Sequence, residues 1–237
     1  MISLSWSRLS DYSQCPRKFQ LKYIEKVFPP EGEKSIHLIK GEELHKQLED
    51  YVLACNGQGE MPIGFSPAVK QTLPLVDSFF KSGYTVYPEA QVSAGRDWKP
   101  LEWFDKRTMY RAIWDLIAIK PQTVFIGDYK SGKIYDYTSK YGQLHLSGTI
   151  AMERFTDAAE VHTAYIYLEH KQIHKIKIIR DEASRTQPAD VLHTEVKQHF
   201  EQEFEKVQAE TEWKPVVNEF CKWCPATKKQ CPFSRKL

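Results

Sequence analysis

The chain has 237 residues, of which 41% are hydrophobic and 27% are charged, and this composition is typical of a folded globular protein. The formal net charge of +2 does not by itself indicate a nucleic-acid partner, so any basic surface must come from local clustering. No apolar run approaches the roughly 20 residues of a membrane span, and residues 1–7 lack the regions of a signal peptide. We therefore expect a cytoplasmic protein without a membrane partner.

The first predicted element is a helix that is interrupted near residue 15. Trp6, Leu9 and Tyr12 recur at helical spacing, and Pro16 suits the first turn of a second short helix. After a loop at residues 25–35, a helix is predicted from about Ile36 to Ala54. His45 lies beside its apolar stripe, and a lone histidine in such a place is usually structural.

The middle of the chain predicts a sheet with helices around it. We expect helices at about 67–81, 139–155 and 190–209, and strands at about 84–94, 109–119, 123–130, 161–169 and 172–179. The last two strands read as a hairpin. This order predicts an α/β or α+β protein in which helices flank a central mixed sheet.

Two carboxylates and a lysine fall in the most apolar of these strands. Asp115 interrupts the run 112–119, while Asp128 and Lys130 end the next strand and point to the same face. A buried charge costs several kcal/mol unless it is paired or binds a metal. Adjacent strands would bring the three together, which suits Mg²⁺-dependent phosphodiester cleavage. The structural alternative is a satisfied core carboxylate beside a surface ion pair of Asp128 and Lys130.

The C-terminal segment contains three cysteines in the pattern C-x₂-C-x₆-C, namely Cys221, Cys224 and Cys231. In a reducing compartment this pattern favours a metal site over disulfides. A four-cysteine site needs one more ligand, and Cys15 is preferred over Cys55 because a proline follows it, as one follows Cys224 and Cys231. The spacing leaves zinc, an iron–sulfur cluster and buried thiols all open.

Taken together, these motifs resemble the PD-(D/E)XK nuclease superfamily. The matching stretches are SRLSDYSQCPRKF (7–19), GEELH (41–45), Asp115, GDYKSG (127–132), Gln143 and the C-terminal cysteines. Within the superfamily they are most similar to the iron–sulfur branch, which includes RecB-type and AddB-type nuclease domains and CRISPR-associated adaptation exonucleases. The chain departs from the pattern at Trp114, where the family has proline, and at Ser147, where it has tyrosine. Glu89 lies on the strand where some relatives carry an acid.

The resemblance implies a restriction-endonuclease-like fold and a set of ligands. A single nuclease domain would span residues 1–237, with a catalytic core at 36–180 and a metal-cluster subregion formed by 1–24 and 213–237. One or two Mg²⁺ or Mn²⁺ ions would be held by His45, Asp115, Asp128 and the backbone carbonyl of Tyr129. Lys130 would orient water or stabilise the transition state, and Gln143 would position Lys130 or the DNA backbone. A [4Fe–4S] cluster, or Zn²⁺ in its place, would be held by Cys15, Cys221, Cys224 and Cys231.

The function implied by the resemblance is a metal-dependent DNA exonuclease in recombination, repair or DNA processing, in a bacterial, archaeal or phage-infected cell. The alternatives are a structure-specific or nicking endonuclease with the same site, and a non-catalytic, zinc-stabilised DNA-binding subunit. The expected partner is DNA with a free end or single-stranded DNA. Proteins of a recombination or repair complex are further candidate partners. A basic rim is expected from Arg8, Arg17, Lys18, Lys22, Lys222, Lys228 and Lys229. Trp223 is a candidate for base stacking, whereas Trp6 and Tyr12 are expected in the core.

Overall fold

The structure, a computed structural model, describes residues 2–28, 34–134 and 142–235. The chain divides into two compact units. The sheet unit comprises residues 34–199, and the cysteine unit comprises residues 1–33 together with 200–237. The limits expected from the resemblance, a catalytic core at 36–180 and a metal-cluster subregion at 1–24 and 213–237, remain predictions.

A seven-stranded mixed sheet forms the centre of the sheet unit, which confirms the predicted α/β class. Its strands are β1 (Thr85–Ala94), β2 (Pro100–Leu101), β3 (Tyr110–Lys120), β4 (Thr123–Lys130), β5 (Glu160–Tyr167), β6 (Gln172–Ile179) and β7 (Val191–Leu192). The order is β2-β1-β3-β4-β5-β6-β7. The β4–β5 and β6–β7 pairs are parallel and the others are antiparallel, including the predicted β5–β6 hairpin. The sequence did not predict β2 and β7, because two-residue strands carry no periodicity.

In the part of the chain that the structure describes, four α-helices lie wholly in the sheet unit, namely α3 (Ile36–Cys55), α4 (Pro67–Lys70), α5 (Leu73–Lys81) and α6 (Gly142–Arg154), together with a 3₁₀ turn (Glu182–Ser184). The single helix predicted at 67–81 is wrong, because the chain breaks at Gln71 and Thr72. Pro74 lies in the first turn of α5 and has no N–H to continue an upstream helix. The helix predicted at 139–155 begins outside the described residues, which resume at residue 142.

Helices α3 and α6 pack on opposite faces of the sheet. Alternate residues of β5 show this, because Ala164 and Ile166 join the core beneath α3 whereas Tyr165 and Tyr167 pack with Leu144 of α6. A Cβ at Gly148 in α6 would overlap the side chain of Ile178, so this helix approaches the sheet as closely as its glycine allows. Side chains from both helices can therefore reach the same strand ends from opposite sides.

The cysteine unit is built from short elements. They are α1 (Trp6–Gln14), α2 (Pro16–Phe19), a π-helical turn (Gln20–Ile24), the later part of α7 (His193–Ala209) and a 3₁₀ turn (Glu219–Lys222). Ser5 caps α1 by accepting a hydrogen bond from the Arg8 N–H, and the extended backbone of Cys15 separates α1 from α2 as predicted. Helix α7 begins at His193 rather than at the predicted residue 190, since Val191 and Leu192 pair with β6. Among the described residues, no helix combines the length and the apolarity that a membrane span requires.

Candidate functional site

The strand register aligns three carboxylates across three neighbouring strands. The pairing of β1 with β3 continues on both sides of Glu89 in the register that puts Glu89 opposite Asp115. The pairing of β3 with β4 reaches Leu116 and Gly127, and one further step in the same register puts Asp115 opposite Asp128. Residues opposite one another on adjacent strands are neighbours in space. The sheet therefore brings together acids that lie 13 and 26 residues from Asp115 in the sequence.

The side chain of Asp115 takes the place of a backbone hydrogen-bond acceptor at the point where β3 and β4 stop pairing. Its Oδ2 accepts a hydrogen bond of 2.7 Å from the backbone N–H of Tyr129. The side chain of Asp115 is only 12% exposed. This hydrogen bond fixes the carboxylate in place and satisfies a backbone donor that the separated strands would leave unpaired.

His45 reaches this row from α3. Its Nε2 lies 3.1 Å from the carbonyl oxygen of Tyr129. Because a carbonyl oxygen only accepts, Nε2 donates and the lone pair of Nδ1 faces Asp115 Oδ2, at 3.6 Å. Burial lowers the pKa of His45, so the imidazole is neutral at neutral pH. A neutral imidazole and a carboxylate oxygen facing each other at this distance are suited to share a cation.

Glu89 is the acid of this row that the sequence patterns indicated least strongly. Potential ligand atoms of Glu89, His45 and Asp115 all lie within 4.8 Å of one another. Glu89 also has a φ of 46°, in the left-handed region that a residue other than glycine rarely adopts. Such backbone strain concentrates at functional sites. The sequence signals were an acid within a predicted strand and the resemblance to relatives that carry an acid on that strand. The register that puts Glu89 opposite Asp115 could not be read from the sequence.

Asp128, Lys130 and Gln143 form a second group beside the first. Lys130 Nζ lies 2.5 Å from Asp128 Oδ2 and donates a hydrogen bond of 3.2 Å to Gln143 Oε1. The amide of Gln143, at the start of α6, donates to Asp128 Oδ1. The ion pair foreseen as the structural alternative thus exists. It is not a surface pair, since the side chain of Asp128 is 13% exposed and stands in the carboxylate row.

The clustered carboxylates resist ionisation. Burial, followed by the charge of Asp128, raises the pKa of Asp115 to about 8. Burial also raises the pKa of Asp128 even though Lys130, His45 and Gln143 favour its anion. Burial and then the charges of Glu49 and Asp128 raise the pKa of Glu89. Carboxylates held close together in this way are a fit for a divalent cation, because its charge would offset both their burial and their repulsion.

The cysteine unit brings together the four cysteines favoured by the sequence. Cys15, Cys221, Cys224 and Cys231 line one cavity, whereas Cys55 is exposed at the end of α3 and is not among the lining residues. Backbone N–H groups of Val216 and Asn218 approach the sulfurs of Cys15 and Cys221, each at 3.4 Å. Hydrogen bonds to sulfur also occur around metal-bound thiolates, so these four cysteines are candidates for one metal site.

The residues of the expected basic rim differ in how they are engaged. Lys18 and Lys22 lie 2.5 Å and 3.0 Å from the carboxylate of Asp11, and Arg17 lies 2.9 Å from Glu25. Burial alone would raise the pKa of Asp11, but hydrogen bonds from Lys18, Tyr23 and Lys22 outweigh it and lower that pKa. Tyr12 packs edge-on against Phe19 and Trp213. The rim itself stays a prediction.

Comparison with known proteins identifies the family. Seventeen chains of solved structures match this one. One, described as "Crystal structure of SSO0001", is 14% identical, with 94% of this chain and 83% of that chain covered and a TM-score of 0.44. No curated protein matches. A family model described as PD-(D/E)XK nuclease superfamily matches residues 3–232. The chain therefore belongs to the PD-(D/E)XK nuclease superfamily, whose members are metal-dependent nucleases that act on DNA.

Proposed function

We propose that this protein is a metal-dependent DNA exonuclease of the iron–sulfur branch of the superfamily, acting in recombination, repair or DNA processing. The observation that carries the proposal is the row of Glu89, Asp115 and Asp128, which His45 meets from one side of the sheet and Gln143 from the other. A non-catalytic subunit would have no need to hold three acids, two of them largely buried, beside a lysine against the repulsion between the acids.

We assign the divalent cation to His45, Asp115, Asp128 and the Tyr129 carbonyl oxygen, with Glu89 as an added ligand. The neutral imidazole and the raised carboxylate pKa values support this assignment. Oxygen ligands suit Mg²⁺ and Mn²⁺, and one imidazole favours Mn²⁺ somewhat. When bound, the cation supplies positive charge that offsets the negative charge of the phosphate, and it lowers the pKa of a water molecule bound to it.

The side chains around the cation would then position the phosphate and the attacking water. The ammonium of Lys130 donates to the phosphate or orients the attacking water, and it stabilises negative charge that develops on the phosphate oxygens. Gln143 holds both Lys130 and Asp128, so it sets where that ammonium points. Asp115 is fixed by the Tyr129 N–H, which holds its carboxylate beside Nδ1 of His45. Water adds to phosphorus as the bond to the leaving oxygen breaks.

We assign a [4Fe–4S] cluster to Cys15, Cys221, Cys224 and Cys231, with a structural role. The choice of a cluster over zinc rests on the resemblance to the iron–sulfur branch. The cavity that the four cysteines line together supports a common set of ligands. The cluster would join the α1–α2 junction to the C-terminal segment.

The preference for DNA ends rests on the likeness to RecB-type and AddB-type nuclease domains, and it is tested directly by substrate shape. Protein purified without oxygen would be given end-labelled linear DNA, single- and double-stranded, and closed circular DNA, with Mn²⁺, Mg²⁺ or a chelator. We expect metal-dependent loss of linear DNA while circles survive. Cut circles would instead show an endonuclease, and no cleavage by protein with its cluster intact would overturn the nuclease proposal.

A matched pair of lysine variants assigns the cleavage to this site. Lys130→Ala removes the ammonium beside Asp128, whereas Lys81→Ala removes an exposed lysine at the end of α5. We expect Lys130→Ala to lower the cleavage rate by about 10³-fold, the scale of one lost transition-state donor. Lys81→Ala should cleave at the original rate. Equal activity in the two variants would contradict the site.

A further inference from the structure

The cysteine unit exposes aromatic side chains beside its metal ligands. Trp223, which lies between Cys221 and Cys224, is 64% exposed, and Phe220 is 45% exposed. Their ring centroids are 6.3 Å apart, with the planes inclined at 43°. Aromatic side chains contribute much of the apolar area that proteins bury, so two adjacent exposed rings indicate a surface that binds something.

The metal site does not account for Trp223. Phe220 and Phe233 line the cysteine cavity, which explains why apolar side chains stand at those positions. Trp223 is not among the lining residues. Its neighbour Lys222 places its ammonium 3.8 Å from the centroid of the indole ring. This contact covers one face of the ring, and the large exposed fraction belongs to the remaining surface.

The segment around these rings is strongly basic. Residues 214–235 contain Lys214, Lys222, Lys228, Lys229 and Arg235 against a single acid, Glu219. Lys214 is engaged by Glu212, while Lys222, Lys228 and Lys229 are exposed. The whole chain carries a formal charge of only +2, so this is a local concentration of positive charge. Such a surface is complementary to a polyanion.

Two properties together identify the class of partner. Exposed aromatic rings offer stacking surfaces to unpaired bases, and flanking lysines offer cations to the phosphates between them. Duplex DNA presents its phosphates but hides the faces of its bases. We infer that Trp223, with Lys222 on one face and Phe220 beside it, is a stacking platform for the bases of single-stranded DNA. This inference rests on the proposed function only for the choice of DNA as substrate.

The test measures binding without cleavage. Labelled oligothymidylate of about 20 nucleotides, longer than the roughly 4–16 nucleotides such surfaces contact, is titrated with the full-length protein without added divalent cation. The same is done with an abasic oligonucleotide of equal length and with a blunt duplex, and fluorescence anisotropy gives each Kd. Trp223→Ala is compared with Trp223→Phe and with Phe104→Ala, which removes an aromatic ring that is 85% exposed in the sheet unit.

We expect Trp223→Ala to weaken oligothymidylate binding by about tenfold, within the range of one lost base–aromatic stack. Trp223→Phe should restore most of the affinity, and Phe104→Ala should bind as the original protein does. Binding of the abasic oligonucleotide should be the same in all four proteins. An unchanged visible absorbance of Trp223→Ala would show that the cysteine site is intact.

Three results would overturn the inference. Trp223→Ala could bind oligothymidylate like the original protein, or it could lose the abasic oligonucleotide equally, which would indicate charge or folding rather than stacking. The original protein could also fail to bind single-stranded DNA, which would leave the surface to a protein partner. The cleavage assay is independent of all three, so a base-dependent loss at Trp223 would stand even if no DNA were cut.

Discussion

The sheet unit and the cysteine unit support their proposed metal ligands in opposite ways. In the sheet unit, a seven-stranded sheet with apolar cores on both faces supports carboxylates whose proximity is unfavourable. The cysteine unit has a four-residue helix, a π-helical turn and a 3₁₀ turn. Its described part buries a short set of apolar side chains: Leu4, Leu9, Phe19, Leu21, Phe200, Phe204, Val207 and Ala226.

The physical difference lies in what the proposed metal would contribute to the stability of each unit. A large core supplies enough free energy of folding to hold repelling charges in place, so the sheet unit can be preformed before its cation binds. A small core stabilises a unit only marginally, and metal binding then supplies folding free energy. Removing a ligand should therefore change activity in the sheet unit and stability in the cysteine unit. Four predictions test this contrast.

The largest expected effect is on catalysis, from Asp128→Asn. This change removes the carboxylate charge while it keeps nearly the same shape beside Lys130 and Gln143. We expect the cleavage rate to fall by about 10³-fold or more, because both cation binding and the placement of Lys130 depend on this group. The melting temperature should hold or rise, since a buried charge is gone. If Asp128→Asn were inactive because it did not fold, the sheet unit would also depend on its ligands for stability, and the expected contrast between the units would be wrong.

The next effect is on stability, from Cys15→Ser. Loss of one of four ligands should release the metal, with a cost of several kcal/mol and a fall in melting temperature of roughly 10 °C or more. Iron content, visible absorbance and circular dichroism during heating measure this. Cys55→Ser is the matched control, because Cys55 is exposed outside the cavity and should change none of the three. The reverse result would show that Cys55 is the fourth ligand.

A smaller effect should follow from Glu89→Gln. Glu89 lies near His45 and Asp115 but is exposed, so we assign it to supporting the cation rather than to the reaction itself. We expect the Mn²⁺ concentration for half-maximal cleavage to rise by about tenfold, because the cation loses one carboxylate ligand while His45, Asp115 and Asp128 remain. The rate at saturating Mn²⁺ should fall much less. Glu102→Gln removes another exposed acid near the same sheet edge and should leave both quantities unchanged.

The smallest effect is the pH dependence of metal-free stability. In the folded protein the pKa of Asp115 is raised to about 8 from its ordinary 3.8, so between these values the folded state binds more protons than the unfolded state. The contribution of Asp115 to the free energy of unfolding therefore falls as pH rises from about 4 to about 8. Asp115→Asn should remove part of this decline, and it should therefore melt at a higher temperature than the original protein at pH 8.

Scanning fluorimetry without divalent cation, across this pH range, measures that slope. Added Mn²⁺ should stabilise the original protein more at pH 8 than at pH 6, because the cation binds the ionised carboxylates. Asp115→Asn should show little of this gain. Parallel slopes for the two proteins would mean that Asp115 ionises normally, and the repulsion in the carboxylate row would then be absent.

The sequence determined the elements and the inventory of chemical groups. Hydrophobic periodicity located the main strands and α3, because each period reports one buried face. It also singled out Asp115, Asp128 and Lys130, since charges in apolar strands are costly and therefore noticeable. Local rules failed where local signals were weak or conflicting. The helix predicted at 67–81 broke before Pro74, and β2 and β7 were too short to detect.

Only the tertiary structure decided which groups meet. The register of β1 on β3 put Glu89 opposite Asp115, and register depends on pairing across the sheet rather than on any single strand. The contact of His45 with the Tyr129 carbonyl required α3 to pack over β4, since these residues lie 84 positions apart in the sequence. Likewise, only the structure shows that Cys15 lines one cavity with Cys221, Cys224 and Cys231, whereas Cys55 is not among its lining residues. Sequence patterns report the burial of each residue along its own element, whereas proximity between elements is set by packing.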